Sequence, residues 1–206
     1  MKKERKRLFI DRKTGAKERL ETVKWAVENN YDTLVFSLGD KFFKSKNKNI
    51  KYKKLIKYHS INIEAGGRDF PLLLPKRLFL FHRNLFRMEQ GKRKAAPHFC
   101  PTNPKTTAII AKRARALFAR AMKETTPPRV FHLFPDEGYE SVWCACPACR
   151  AFNPAEQNII TVNTAALSLA KLDPDARLSY YDFGAEPVAE GVAAGKNMFR
   201  LSAAQV

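Results

Sequence analysis

Short apolar runs alternate with amphipathic stretches along most of the chain. "RLFID" (Arg7 to Asp11) reads as a strand and "RKTG" as a turn. Leu20, Val23, Trp25, Ala26 and Val27, set between charged residues, then mark a helix that "NNYD" at 29–32 stops. "TLVFSL" (Thr33 to Leu38) is nearly continuously apolar and rich in β-formers, the pattern of a strand covered on both faces. "YKKLIKYHS" predicts a short helix and "INIEAGG" (Ile61 to Gly67) a third strand ending in a glycine pair. A Pro-punctuated excursion, "PLLLPKRLFLFHRNLFRMEQGKRK", follows, and excursions of that length tend to be functional or poorly ordered. Asn103 before Pro104 is a helix start, with Ile110, Ala114, Leu117, Phe118 and Ala121 on one face of the helix that follows. "RVFHLF" (Arg129 to Phe134) is the next strand. Asn153, Pro154 and Glu156 form a second helix start with a capping-box acid, and Ile159, Val162, Ala166 and Leu169 mark the buried side. "RLSYYDF" reads as a fifth strand, after which the chain has small residues and no strong period.

Strands alternating with helices imply right-handed βαβ units on a parallel sheet. Such a sheet is either open and doubly wound or part of an eight-stranded barrel, which typically takes about 250 residues, so five strands do not close it. No GxGxxG or GxxxxGK[ST] phosphate loop follows any strand, which removes most support for a nucleotide-binding open sheet.

The hydrophobic content of 45 % is that of a folded protein, and no run approaches the roughly 20 apolar residues of a membrane span. As written, the chain is expected to be cytoplasmic, with no membrane partner. The net charge is +18, and it belongs to the front: residues 1–95 hold 26 Lys and Arg against 10 Asp and Glu, and residues 96–206 hold 12 against 10. The densest run, "KFFKSKNKNIKYKKLIKY", mixes Lys with aromatic residues in a way that suits a phosphate backbone. No nucleic-acid motif accompanies it, so a solvated Lys-rich face is the preferred reading.

Candidate chemistry gathers at strand ends. Asp136 and Glu137 follow "RVFHLF" directly, where parallel α/β folds place their reacting groups, and two adjacent carboxylates can divide acid and base roles. Glu64 at the end of "INIE" and Asp182 at the end of "SYYD" are expected in the same topological position. Tyr139, Trp143, Tyr180 and Tyr181 lie beside these acids and could offer flat faces to a sugar ring. "WCACPACR" packs Cys144, Cys146 and Cys149 into six positions; the CPxC spacing lets two sulfurs face one tetrahedral ion, with Cys144 as a third ligand and Cys100 or His98 as a fourth. Structural zinc, free packing thiols and a disulfide or redox role are the three readings of this cluster.

At "HFCPTNPKT", "HLFPDEGYESVWCACPACRAFNPAEQN" and "DARLSYYDF", the sequence resembles the bacterial family catalogued as domain of unknown function 4838, whose members look like glycoside hydrolases with a TIM-barrel core. The similarity spans roughly residues 7 to 183, and members are generally longer, so the chain resembles the front of the barrel without its later strands. "HLFPDEG" is also similar to the Asp-Glu signature of β-hexosaminidase-type barrels. That similarity implies that Glu137 protonates the leaving glycosidic oxygen while Asp136 holds the neighbouring sugar substituent, although Phe134 and Pro135 stand where that group commonly has glycines. The expectation is therefore an α/β chain: a partial (β/α)8 TIM-type barrel of about five parallel strands over residues 1–183. Residues 184–206 would be an irregular tail or the start of the next unit. The expected function is glycosidic-bond hydrolysis or carbohydrate binding, with Glu64, Tyr139, Trp143, Tyr181 and Asp182 on the substrate. A carbohydrate is the expected partner, with self-association through an exposed sheet edge; nucleic-acid binding by a basic zinc knuckle is the alternative.

Overall fold

The computed structural model describes residues 6–10, 14–43, 51–95, 98–136, 142–181, 189 and 191–202. The chain opens with β1 (Arg7–Ile10), α1 (Ala16–Glu28), β2 (Thr33–Phe36), α2 (Lys51–Tyr58) and β3 (Asn62–Gly67). A one-turn helix, α3 (Phe70–Leu73), starts the excursion, which carries 3-10 turns at Lys76–Leu80 and Arg83–Leu85 and a small hairpin, β4 (Met88–Glu89) with β5 (Lys92–Arg93). α4 (Pro104–Ala121), β6 (Val130–Leu133), α5 (Pro154–Ala170), β7 (Arg177–Tyr181) and β8 (Met198–Leu201) complete the described elements.

β1, β2, β3, β6, β7 and β8 form one sheet in chain order, and every neighbouring pair is parallel. A doubly wound sheet reverses its strand order at a switch point, and this one does not. Alternate strand residues Ile10, Leu34, Phe36, Ala65, Phe131, Leu133, Leu178 and Met198 pack into one core with Val23 and Ala26 of α1, Ile56 of α2, Ile110 and Phe118 of α4, and Val162 and Leu169 of α5. The helices thus cover a single face. A fully buried Phe or Leu in this layer contributes about 1.5–3 kcal/mol.

The opposite face is concave. β1 and β6 are separated by two strands, a span of about 14 Å in a flat sheet. Yet Phe9 of β1 meets His132 of β6 and Phe134 just past it, with ring centroids 5.2 and 5.8 Å apart. The sheet is rolled: the fold is a mixed α/β, partial TIM-type barrel with six parallel strands.

Local sequence explains the parts. The Asn103 side chain accepts from the Lys105 N–H at 2.9 Å with Pro104 in the first turn. Asn153 and Glu156 cap each other reciprocally at 2.9 and 2.8 Å. Gly66 lies at φ +122°, and a Cβ there would stand 1.9 Å from the His132 carbonyl oxygen, so only glycine lets β3 approach β6 at this register. β8 comes from "MFRL", in the stretch expected to be tail or the start of a further unit, and pairs with β7.

Candidate functional site

The four cysteines come from two segments at the carboxyl ends of the strands. Cys100 lies in the loop that enters α4, and Cys144, Cys146 and Cys149 in the loop between β6 and α5. All four are buried free thiols, and their sulfurs lie within 4.8 Å of one another. Cys100 Sγ is 3.6 Å from both Cys146 Sγ and Cys149 Sγ. Sulfurs bound tetrahedrally at 2.3 Å from one ion would be about 3.8 Å apart, so the cage is already at metal-binding size.

Its surroundings suit thiolates. The Met88 N–H points to Cys144 Sγ at 3.3 Å and Arg93 Nη1 lies 3.7 Å from the same sulfur, both placed by the β4–β5 hairpin, in which Met88 pairs with Arg93. The Thr102 hydroxyl is 3.1 Å from Cys149 Sγ. Gln157 of α5 stitches the loop from behind: its Oε1 accepts from the Cys144 N–H at 3.1 Å, and its Nε2 lies 3.1 Å from the Cys144 carbonyl and 3.0 Å from that of Phe152. After Cys146, the N–H groups of Cys149 and Arg150 both donate to the Cys146 carbonyl, at 2.9 and 3.0 Å, which folds CPxC back on itself. Hydrogen bonds from Cys144 and Cys149 hold Cys100 far below the ordinary thiol range, while the Cys100 thiolate pushes Cys144 and Cys149 up. A cation among the four sulfurs would favour their ionising together. Four buried cysteines in this arrangement can bind a metal ion such as zinc.

A second polar group crosses the concave face. Arg7 Nε donates to Glu64 Oε2 at 2.7 Å, His132 Nε2 lies 2.8 Å from the same oxygen, and His132 Nδ1 is 2.7 Å from Ser179 Oγ. Burial drives the Glu64 carboxyl up, but hydrogen bonds from His132 and Arg7 outweigh it and leave the group at about 2. Burial drives the His132 imidazole down, against the pull of Glu64. A neutral ring beside an ionised carboxylate must donate from Nε2 to Glu64 and accept at Nδ1 from the Ser179 hydroxyl.

The strand-end expectations separate accordingly. Glu64 does not end its strand: β3 runs on through Ala65 to Gly67, so Glu64 lies inside the rolled sheet, 1 % exposed, rather than at the rim. Asp136 stands past the carboxyl end of β6, after Phe134 and Pro135, and is half-buried. Tyr181 ends β7 on the concave face, its ring 5.9 Å from Phe134. Trp143 packs edge-on to His98 at 4.7 Å and to Phe70 at 6.1 Å, which makes it a core side chain beside the thiol cage. His98 belongs to that aromatic packing, and the compact sulfur set is completed by Cys100. Glu137, Tyr139 and Asp182 lie outside the described residues. Sequence reasoning missed Arg7, His132, Ser179 and Gln157; a histidine at an inward position of "RVFHLF" was the one available signal. A cleft of about 300 Å³ lined by Tyr31, Asp32, His59 and Ser60 opens at the amino-terminal edge of the sheet, the edge opposite the thiol cage.

No protein-family model and no curated protein matches the chain. Among solved structures, it is similar to the crystal structure of the GH36 alpha-galactosidase AgaB from Geobacillus stearothermophilus, with a TM-score of 0.47 and 10 % identity over 82 % of this chain. The chain spans 26 % of that protein's length. So loose a likeness carries no argument about chemistry, and the fold rests on the strand order itself.

Proposed function

We propose that the chain is a glycoside-hydrolase-like partial barrel of the domain of unknown function 4838 type, acting on or binding a carbohydrate, with a zinc ion held by Cys100, Cys144, Cys146 and Cys149. The observation that carries this reading is the position of Asp136. It stands past β6 on the carboxyl edge of a rolled parallel sheet, and three of the cage's four cysteines follow it on the same loop. Barrels of this type concentrate their chemistry at that edge.

In this reading, Glu137 donates a proton to the leaving glycosidic oxygen and Asp136 orients the neighbouring substituent. Zinc with four thiolate ligands has no open position for substrate, so its part is to brace the rim. Support for zinc comes from the sulfur spacing and from the N–H groups aimed at sulfur.

The test is turnover of a panel of aryl glycosides and binding of the matching oligosaccharides. Any hydrolysis is expected to fall at least about 100-fold in Glu137→Gln, the scale of a lost general acid. A panel with neither turnover nor binding counts against the reading. Salt-sensitive binding of generic DNA in its place would favour the basic zinc-knuckle alternative.

A further inference from the structure

The excursion that leaves β3 ends in an exposed tip. In the 3-10 turn Lys76–Leu80, Leu78 and Phe79 pack inward, and Phe79 meets Phe86 edge-on with ring centroids 5.3 Å apart. Leu80 and Phe81 instead stand in water, 74 % and 81 % exposed. A lone exposed apolar side chain is ordinary, but two adjacent large ones at a loop tip are worth explaining. Lys76, Arg77, His82 and Arg83 are exposed around them, and the sequence between Asp69 and Glu89 contains no acidic residue. The cations extend to α4, where burial and the nearby Arg77 charge both hold the Arg113 guanidinium below its ordinary value. Among the described residues, no acid pairs with Lys76, Arg77, His82 or Arg83, so like charges gather here beside an apolar step. The Arg113 side chain, in the middle of α4, donates from Nε to the Leu72 carbonyl at 2.8 Å, so the excursion runs along the outer face of that helix.

We infer that the tip docks an anionic polysaccharide, with Phe81 against the face of a sugar ring and Arg77 and Arg83 on its carboxylate or sulfate groups. The inference rests on the carbohydrate reading above and names the substrate class as acidic. A sugar ring offers a C–H-rich face to an aromatic side chain, and a uronate or sulfated unit supplies the charge that the guanidinium groups pair with. Nucleic acid calls for successive stacking rings along the strand, and the tip exposes a single phenyl ring among its described residues. A bilayer calls for more apolar area than Leu80 and Phe81 offer, since one modest anchor holds only marginally.

The test uses the whole chain with polygalacturonate and, as a control of identical backbone without the charge, its fully methyl-esterified form, at about 150 mM salt, where long-range attraction is screened. The expected result is binding of the acidic polymer and not of the ester. Phe81→Ala, and separately Arg77→Ala with Arg83→Ala, should each weaken binding about tenfold or more, the effect of losing one good contact. Both changes lie on exposed side chains, and an unchanged melting temperature would show that the fold is intact. Four results would overturn the inference: equal binding of acid and ester, binding of the acid indifferent to Phe81→Ala, Phe81-dependent sedimentation with phosphatidylserine vesicles but not with the polymer, or self-association that Phe81→Ala abolishes. Polymer binding without glycoside turnover leaves this inference standing and sinks the hydrolase; turnover on neutral glycosides without polymer binding does the reverse.

Discussion

Glu64 is the charge around which the concave face is arranged. Its carboxyl takes hydrogen bonds from Arg7 and His132 and stays ionised down to about pH 2, against 4.5 for an ordinary glutamate. A depressed folded value stabilises the fold above the unfolded one, so this contribution is complete above about pH 4.5 and is lost as the pH falls toward about 2. Its full size is on the order of 3 kcal/mol. Glu64→Gln should therefore cost about 3 kcal/mol or more at pH 7, where it strands Arg7 without its partner, and little near pH 2, where the native side chain is itself being protonated. Urea unfolding of both proteins across that range measures the convergence; parallel curves would show that Glu64 is not the ionised centre of the network.

At the scale of elements, the junction of β3 and β6 is the tightest place in the sheet. Gly66→Ala puts a methyl group 1.9 Å from the His132 carbonyl oxygen at a φ of +122°, and should destabilise the protein by about 3 kcal/mol or more. Gly67→Ala has a similar φ of +129° but meets only Phe9 at 3.7 Å, so it should cost less; thermal denaturation of the pair checks the ranking. The element order was readable because propensity, caps and hydrophobic period agree along "TLVFSL", "NPKTTAII" and "NPAEQNII". β8 was not readable, since "MFRL" is four residues long in a tail of small residues, and its strand character comes from pairing with β7. The same limit hid the Arg7, Glu64, His132 and Ser179 chain. Arg7 and Glu64 are 57 residues apart and His132 lies 68 beyond Glu64, distances at which no local pattern acts. The cysteine set was readable because three of its members are crowded into one loop and the fourth sits in "HFCPTNP", a helix-start loop that the parallel topology brings to the same edge.

For the molecule as a whole, the sulfur cage joins pieces that the sheet alone does not hold. It links the loop entering α4, the loop leaving β6, the β4–β5 hairpin through Met88 and Arg93, and the first turns of α5 through Gln157. Reduced protein supplied with zinc should bind one ion per chain, and Cys100→Ser should lower that stoichiometry. Stripping the metal should lower the melting temperature, by about 2–4 °C for each kcal/mol of stability lost in a chain of this size. Metal analysis with calorimetry of the loaded and stripped forms measures both; reduced protein that takes up no zinc would leave the cysteines as packing thiols.

The two sources of the cage also tie it to the native topology. Cys100 precedes α4 and the other three cysteines follow β6, so 43 residues, including one complete helix and one strand, separate the first sulfur from the second. The native spacing of all four sulfurs is set only when that helix and that strand are both in place. An ion held by all four sulfurs in this arrangement would therefore report, from one point, that α4 and β6 are both in their native places.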